Sequence, residues 1–301
     1  MMQKPGTDAQ APPASTGPRS HQEPGSVPMT VLQLQHMKRA GRKIVGIVAW
    51  DFQVAKIADR AGVDLVSVGD SVGMNLWGRS DPDDMTLDEM ILVCKAVRRG
   101  VERALVSCDF PAGVLQQGPR AALAAAHRVV QEGGADMVKL DGAAGFPEAT
   151  RAIVEARIPV FAQMGITQGN AAQYGIEHAT LLGGAIQVPE AMAGRLVDEA
   201  RELEALGCAM IDFTSSGPLA GPRVARAVSI PVLGGLGGGP WLDGRMRMAH
   251  AAIGYAASAL ESKAETYANV ARIALDAISA YAEDVRAARQ IKGGIPVKPA
   301  G

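Results

Sequence analysis

The sequence predicts a (β/α)8 barrel, the TIM-barrel architecture, with a disordered N-terminal tail and extra C-terminal helices. Three observations predict it. Short apolar runs alternate with amphipathic stretches from Lys43 onward, the rhythm of successive βα units. Most of these runs stop at a polar group: Gly69-Asp70-Ser71, Asp109, Asp141, Gln163 and Thr214. An acid within a buried strand is costly, whereas one at its carboxyl end faces the mouth where parallel α/β folds bind ligands. Finally, Lys43–Trp50 is not followed by a glycine-rich phosphate fingerprint, which disfavours a doubly wound nucleotide fold.

The elements follow in order. Residues 1–28 are rich in Pro, Gly, Ser, Gln and Ala and offer too little apolar surface to offset ordering entropy, so a disordered tail is expected there. The barrel domain is expected over 29–290 and a flexible tail over 291–301. Thr30 caps an amphipathic helix that closes at Gly41. A strand over 43–49 yields at Asp51, an N-cap, to a helix ending at Ala61-Gly62. The strand at 63–69 leads into a long loop, 72–85, and Thr86-Leu87-Asp88-Glu89 is a capping box for the helix to Arg99. Strand 104–108, helix 118–133, strand 135–140 and helix 147–156 come next. Strand 158–162 precedes a second excursion, 164–187. Helix 188–206, strand 208–213, helix 218–227 and strand 230–234 complete seven units, with an eighth strand sought within 245–253. Residues 257–289 show helical apolar spacing.

Composition sets the outer bounds. The 301 residues are 48% hydrophobic and 20% charged with net charge −1, an ordinary balance for a globular chain. Near neutrality gives no support to nucleic acid or an anionic membrane as partner, and no apolar run is long enough for a membrane helix. Cys94, Cys108 and Cys208 are odd in number and widely spaced, as expected of core residues in a reduced cytoplasmic protein.

Chemistry-bearing groups gather at the strand ends. Asp70 and Asp109 suit a divalent metal, because Mg²⁺ takes one or two carboxylates and completes its shell with water and substrate oxygens. The competing reading is that each caps the following helix. Lys139, between Val138 and Leu140, needs an anion, which Asp141 or a substrate carboxylate could supply. Ser71 can donate to a ligand or simply start a helix. His36, His127 and His250 read as surface or packing residues, and His178 as a somewhat better ligand candidate. Backbone amides of Gly234–Gly239 could face an anion.

The segments AWDFQVAKIADRAGVDLVSVGDSVGM, MTLDEMILVCKAVRRG, ALVSCDFPAG, MVKLDG, IPVFAQMGIT and SIPVLGGLGGGPWLDGR, in this order, resemble the ketopantoate hydroxymethyltransferase family. The resemblance implies a (β/α)8 enzyme, a homo-oligomer related to phosphoenolpyruvate mutase and isocitrate lyase. It implies transfer of a one-carbon unit from methylenetetrahydrofolate to the small 2-oxo acid 2-oxoisovalerate, in pantothenate biosynthesis, with Mg²⁺. It makes Asp70 and Asp109 metal ligands, with Ser71, Asp109 and Lys139 contacting the 2-oxo acid. Asp141 stands where the family usually has Glu, and Gln163 where it usually has His. The loop at 77–85 also departs from the family pattern. Thr214 occupies the position of the catalytic Glu, and a threonine hydroxyl is no useful base at neutral pH. Asp212, two residues back on the same strand face and roughly 6–7 Å deeper, is the acid available to replace it. Two other readings stay open: a C–C lyase, hydrolase or decarboxylase on a 2-oxo acid, and a non-catalytic metabolite-binding paralogue.

Overall fold

The computed structural model describes residues 27–81, 84–167, 190–235 and 238–293. Most of the expected N-terminal tail, the end of the C-terminal tail and His178 lie outside the described residues. Eight parallel strands close into a barrel in sequence order: β1 (Ile44–Val48), β2 (Leu65–Val68), β3 (Leu105–Asp109), β4 (Met137–Asp141), β5 (Val160–Gly165), β6 (Met210–Thr214), β7 (Val232–Gly234) and β8 (Gly244–Met248). Around them run α1 (Val31–Arg39), α2 (Phe52–Arg60), α3 (Val72–Asn75), α4 (Leu87–Gly100), α5 (Pro119–Gln131), α6 (Pro147–Glu155), α7 (Glu190–Ala205), α8 (Gly217–Ala227), α9 (Ala249–Ile253) and α10 (Val270–Arg286).

Local chemistry places the helix starts. Thr30 and Thr86 form capping boxes with Gln33 and Glu89, and the Asp51 carboxylate accepts from the amides of Gln53 and Val54. The buried Asp59 carboxylate ties α2 to the turn before β3 by accepting from the amides of Glu102, Arg103 and Ala104.

The amino end of the barrel is sealed. Each strand contributes one buried side chain to a single apolar layer: Ile44, Leu65, Leu105, Met137, Phe161, Met210, Leu233 and Met246. Leu34 and Met37 of α1 pack on this layer. Strand side chains alternate, so the residues two positions further along point inward as well. Those positions hold Ser67, Ser107, Lys139, Gln163 and Asp212. Ser67 and Ser107 bond to each other across the barrel wall, Oγ to Oγ at 2.8 Å.

Three elements differ from expectation. The 72–85 loop opens with the short helix α3, because Ser71 already adopts helical dihedrals and Leu76 donates back to Val72. The one or two helices expected over 257–289 are a 3₁₀ turn, Ala257–Leu260, and then α10. That helix starts where Asn269 caps it, its side chain accepting from the amide of Arg272. The eighth strand, Gly244–Met248, buries Gly244 and Met246 and half-buries Met248, with Arg245 and Arg247 exposed between them, so no apolar run announces it. A Cβ at Gly244 would clash with the Ile44 carbonyl oxygen, so glycine is needed where β8 closes onto β1.

Candidate active site

Lys139 is the centre of the site. As the middle residue of β4 it projects into the barrel and is buried. The register sets Asp109 beside Lys139, Asp141 beside Gln163, and Gln163 beside Asp212. The ammonium donates to Asp109 Oδ2 at 3.1 Å and to Gln163 Oε1 at 2.5 Å, and lies 3.5 Å from Asp212 Oδ2. Asp212 is held from the other side by the Gly235 amide, which donates to its Oδ1 at 3.3 Å. Of the anions expected for Lys139, Asp141 or a substrate carboxylate, Asp141 makes no ion pair with it. Asp141 ends β4 with its side chain exposed at the rim, and two buried acids, Asp109 and Asp212, take that role.

The electrostatics follow from burial. Desolvation pushes the Asp109 carboxyl up to about 7; Lys139 opposes this, while Asp70 and Asp212 add to it. For Lys139 desolvation is the largest single influence and favours the neutral amine, but Asp109, Asp212 and Asp70 together outweigh it and hold the ammonium above its usual range. Asp141 is raised as well, by the protein mass around it and only partly countered by Lys139, although its own side chain stays accessible.

Neither proposed metal ligand occupies the N-cap of a helix. The N-cap of α3 is Ser71, whose hydroxyl makes no capping bond, and α5 starts from Gly118. Asp109 is thus not a helix cap, and Asp70 sits one residue before the N-cap of α3. The residues fit a divalent cation. Asp109 uses Oδ2 on Lys139, and its Oδ1 is buried with no hydrogen-bond partner. Asp70, Asp109 and Asp212 against one ammonium leave the ionised site with excess negative charge that a cation would offset. Among the described residues no three His, Cys, Asp or Glu side chains form a group that could hold a metal ion by themselves. Mg²⁺ at about 100 times its Kd should stabilise the fold by roughly 2.7 kcal/mol in thermal unfolding, and Asp109→Asn should remove most of that gain. An equal Mg²⁺ response in the variant would remove Asp109 from the ligand set.

Thr214 ends β6, buried, and its carbonyl accepts from the Ile166 amide at 3.3 Å. The next residue, Ser215, has φ +57°, a left-handed conformation that turns the chain sharply into α8. Two residues at the mouth escape sequence reading. Trp50 and His250 stack with centroids 4.7 Å apart, and Trp50 Nε1 and His250 Nδ1 are buried without hydrogen-bond partners. Of the surface and packing roles expected for His250, the structure gives packing, against Trp50. His36 and His127 are exposed as expected, and the three cysteines are buried and free. Gly235 gives its amide to Asp212 rather than leaving it for an external anion.

The ketopantoate hydroxymethyltransferase family model matches residues 28–290. A 3-methyl-2-oxobutanoate hydroxymethyltransferase of Cyanothece sp. is 37% identical over 261 residues, covering 86% of this chain and 96% of its own. The enzyme of that name from Salinibacter ruber is 35% identical over 258 residues, covering 86% and 95%. Among solved structures, 2,3-dimethylmalate lyase, of the PEP mutase/isocitrate lyase superfamily, superposes with TM-score 0.56 at 14% identity over 89% of this chain and 92% of its own. A phosphonopyruvate hydrolase in complex with oxalate and Mg²⁺ gives 0.55 at 13% identity, again over 89% and 92%. At such identities these two share the fold. The match across the whole barrel, with relatives alike along nearly their full length, makes this chain a member of the ketopantoate hydroxymethyltransferase family, a family of transferase enzymes.

Proposed function

We propose that the protein is a Mg²⁺-dependent hydroxymethyltransferase that adds the one-carbon unit of methylenetetrahydrofolate to C3 of a 2-oxo acid of the 2-oxoisovalerate type. The observation that carries this reading is the buried Asp109–Lys139–Asp212 constellation in a chain of this family. When bound at Asp70 and Asp109, the cation supplies Lewis-acid charge to the 2-oxo group. Asp212 accepts the C3 proton, and the new C–C bond forms to the donor's methylene carbon. Water supplies the hydroxyl oxygen to that carbon as its two C–N bonds break, and tetrahydrofolate leaves with the protons on its nitrogens. Lys139, fixed by Asp109 and Gln163, sets its charge where negative charge develops, and Ser71 donates to the substrate carboxylate. Asp141, at the rim, takes part in proton exchange with solvent.

The test is C3-proton exchange on 2-oxoisovalerate in D₂O, followed by NMR with and without Mg²⁺, then product formation with methylenetetrahydrofolate. Mg²⁺-dependent exchange and transfer are expected. The second reading, a C–C lyase, hydrolase or decarboxylase, is favoured by Thr214 and Gln163 at positions where the resemblance implies Glu and His. It replaces the first if another 2-oxo acid is cleaved while 2-oxoisovalerate neither exchanges nor gains a carbon. A chain that binds such acids and turns over none is the non-catalytic paralogue.

A homo-oligomer is part of the same proposal, with the cytoplasm as its place of work. Ile278, Tyr281 and Val285 form one apolar stripe along the later turns of α10. Ala271 is buried, but Ile278, Tyr281 and Val285 are 65%, 56% and 50% exposed, so the stripe outruns the barrel that supports the start of the helix. A second copy of the chain is the occupant proposed for it. Ile278→Glu should lower the assembly's mass in sedimentation, and an unchanged mass would place the interface elsewhere.

A further inference from the structure

A cavity of about 640 Å³ opens at the mouth beside the carboxyl ends of β1 and β8. Its walls come from the β1–α2 junction, with Ala49 and Trp50, from Leu76 after α3, and from His250, Tyr255 and Ala274 of the C-terminal part. None of Lys139, Asp109, Gln163 and Asp212 lines it, but Trp50, which does, lies near the turn that carries Asp70 and Ser71. A Cβ built on Gly69 would sit 2.9 Å from Ser71 Oγ and 3.6 Å from Trp50 Nε1. The indole N–H edge and the Ser71 hydroxyl therefore approach each other over Gly69, while the same indole stacks against His250, tilted by 36°. Trp50, only 7% exposed, thus lines the cavity and also nears Gly69 beside Ser71.

The chemistry of the walls selects a ligand. Among the described lining residues there is no Lys or Arg, and Asp51, the one acid, is engaged in capping α2. A small 2-oxo acid has no counter-charge here and is too small to fill the volume, since such cavities suit drug-sized ligands. Burial holds the His250 imidazole below its ordinary range, so it stays a neutral ring. A tilted pair of neutral rings among aliphatic side chains offers ring contacts that suit a flat, uncharged heterocycle.

We infer that this cavity is the subsite for the flat heterocyclic end of the one-carbon donor, next to the 2-oxo acid by way of Trp50 and Gly69. The inference rests on the transferase reading and adds to it where the second substrate sits.

Calorimetric titration of the Mg²⁺-loaded full chain with tetrahydrofolate tests it. Ala274→Trp, on the cavity wall contributed by α10, should weaken binding by at least about tenfold, a loss of about 1.4 kcal/mol. Mg²⁺-dependent C3-proton exchange should stay near the wild-type rate, which shows the variant folded and its metal site intact. Ala256→Leu, a smaller plug that also lines the cavity, gives the same reading if Ala274→Trp does not fold. Tetrahydrofolate binding equal to wild type in a folded plugged variant overturns the inference and leaves the transferase reading standing. Absence of both exchange and transfer in the wild type overturns the reading, and this subsite with it.

Discussion

Lys139→Met should lower the unfolding free energy by about 3–5 kcal/mol, the usual cost of removing one partner from a buried charge network. Asp109 and Asp212 are then left facing each other in the barrel interior with no ammonium between them. Gln163 loses its donor as well. Urea denaturation without divalent ions should show a lower midpoint with an unchanged slope, because the surface exposed on unfolding is the same. Adding Asp212→Asn should restore part of the loss, since one of the stranded charges disappears; the shortfall from additivity measures the coupling. A destabilisation under about 1 kcal/mol would mean that water or local rearrangement satisfies the acids, and that the constellation is far less buried than its geometry indicates.

Asp212→Asn should slow C3-proton exchange by about 10²–10⁴-fold, the share a positioned general base contributes. The substitution keeps the side chain's shape and its acceptor for the Gly235 amide, so loss of exchange reports the proton-accepting group rather than a collapsed loop. Thr214→Glu places a carboxylate at the end of β6, two residues closer to the mouth, and should raise exchange by roughly 10²-fold over wild type if Asp212 sits too deep for an efficient transfer. The two variants pull in opposite directions, which separates base identity from general damage. Asp212→Asn with full activity would clear Asp212 of the role, and Asp141→Asn then becomes the informative variant. Loss of exchange in both would mean that two acids share the proton's route to solvent.

How much of this could be read from the chain alone follows from the range of each interaction. Strand runs, capping boxes at Thr30 and Thr86 and the Asp51 cap are local, because the backbone groups they satisfy lie within a few residues. Acids that stop apolar runs likewise announce the carboxyl ends of strands, so Asp70, Asp109, Asp141 and Gln163 stood out before any contact was known. The short eighth strand was barely legible, because a strand with two exposed arginines carries too few apolar residues to mark it.

What the sequence by itself determined was the order of the βα units and the list of polar groups at their ends. Which of those groups meet was decided by the barrel's register. That register brings Lys139 to Asp109, Gln163 and Asp212 from three other strands and leaves its chain neighbour Asp141 at the rim. The same closure brings Trp50 after β1 against His250 after β8, residues 200 positions apart, to make a cavity wall no local pattern predicts. The physical reason is that local chemistry fixes backbone conformation, whereas the partner of a buried charge or ring is whatever the closed sheet places within a few ångströms of it.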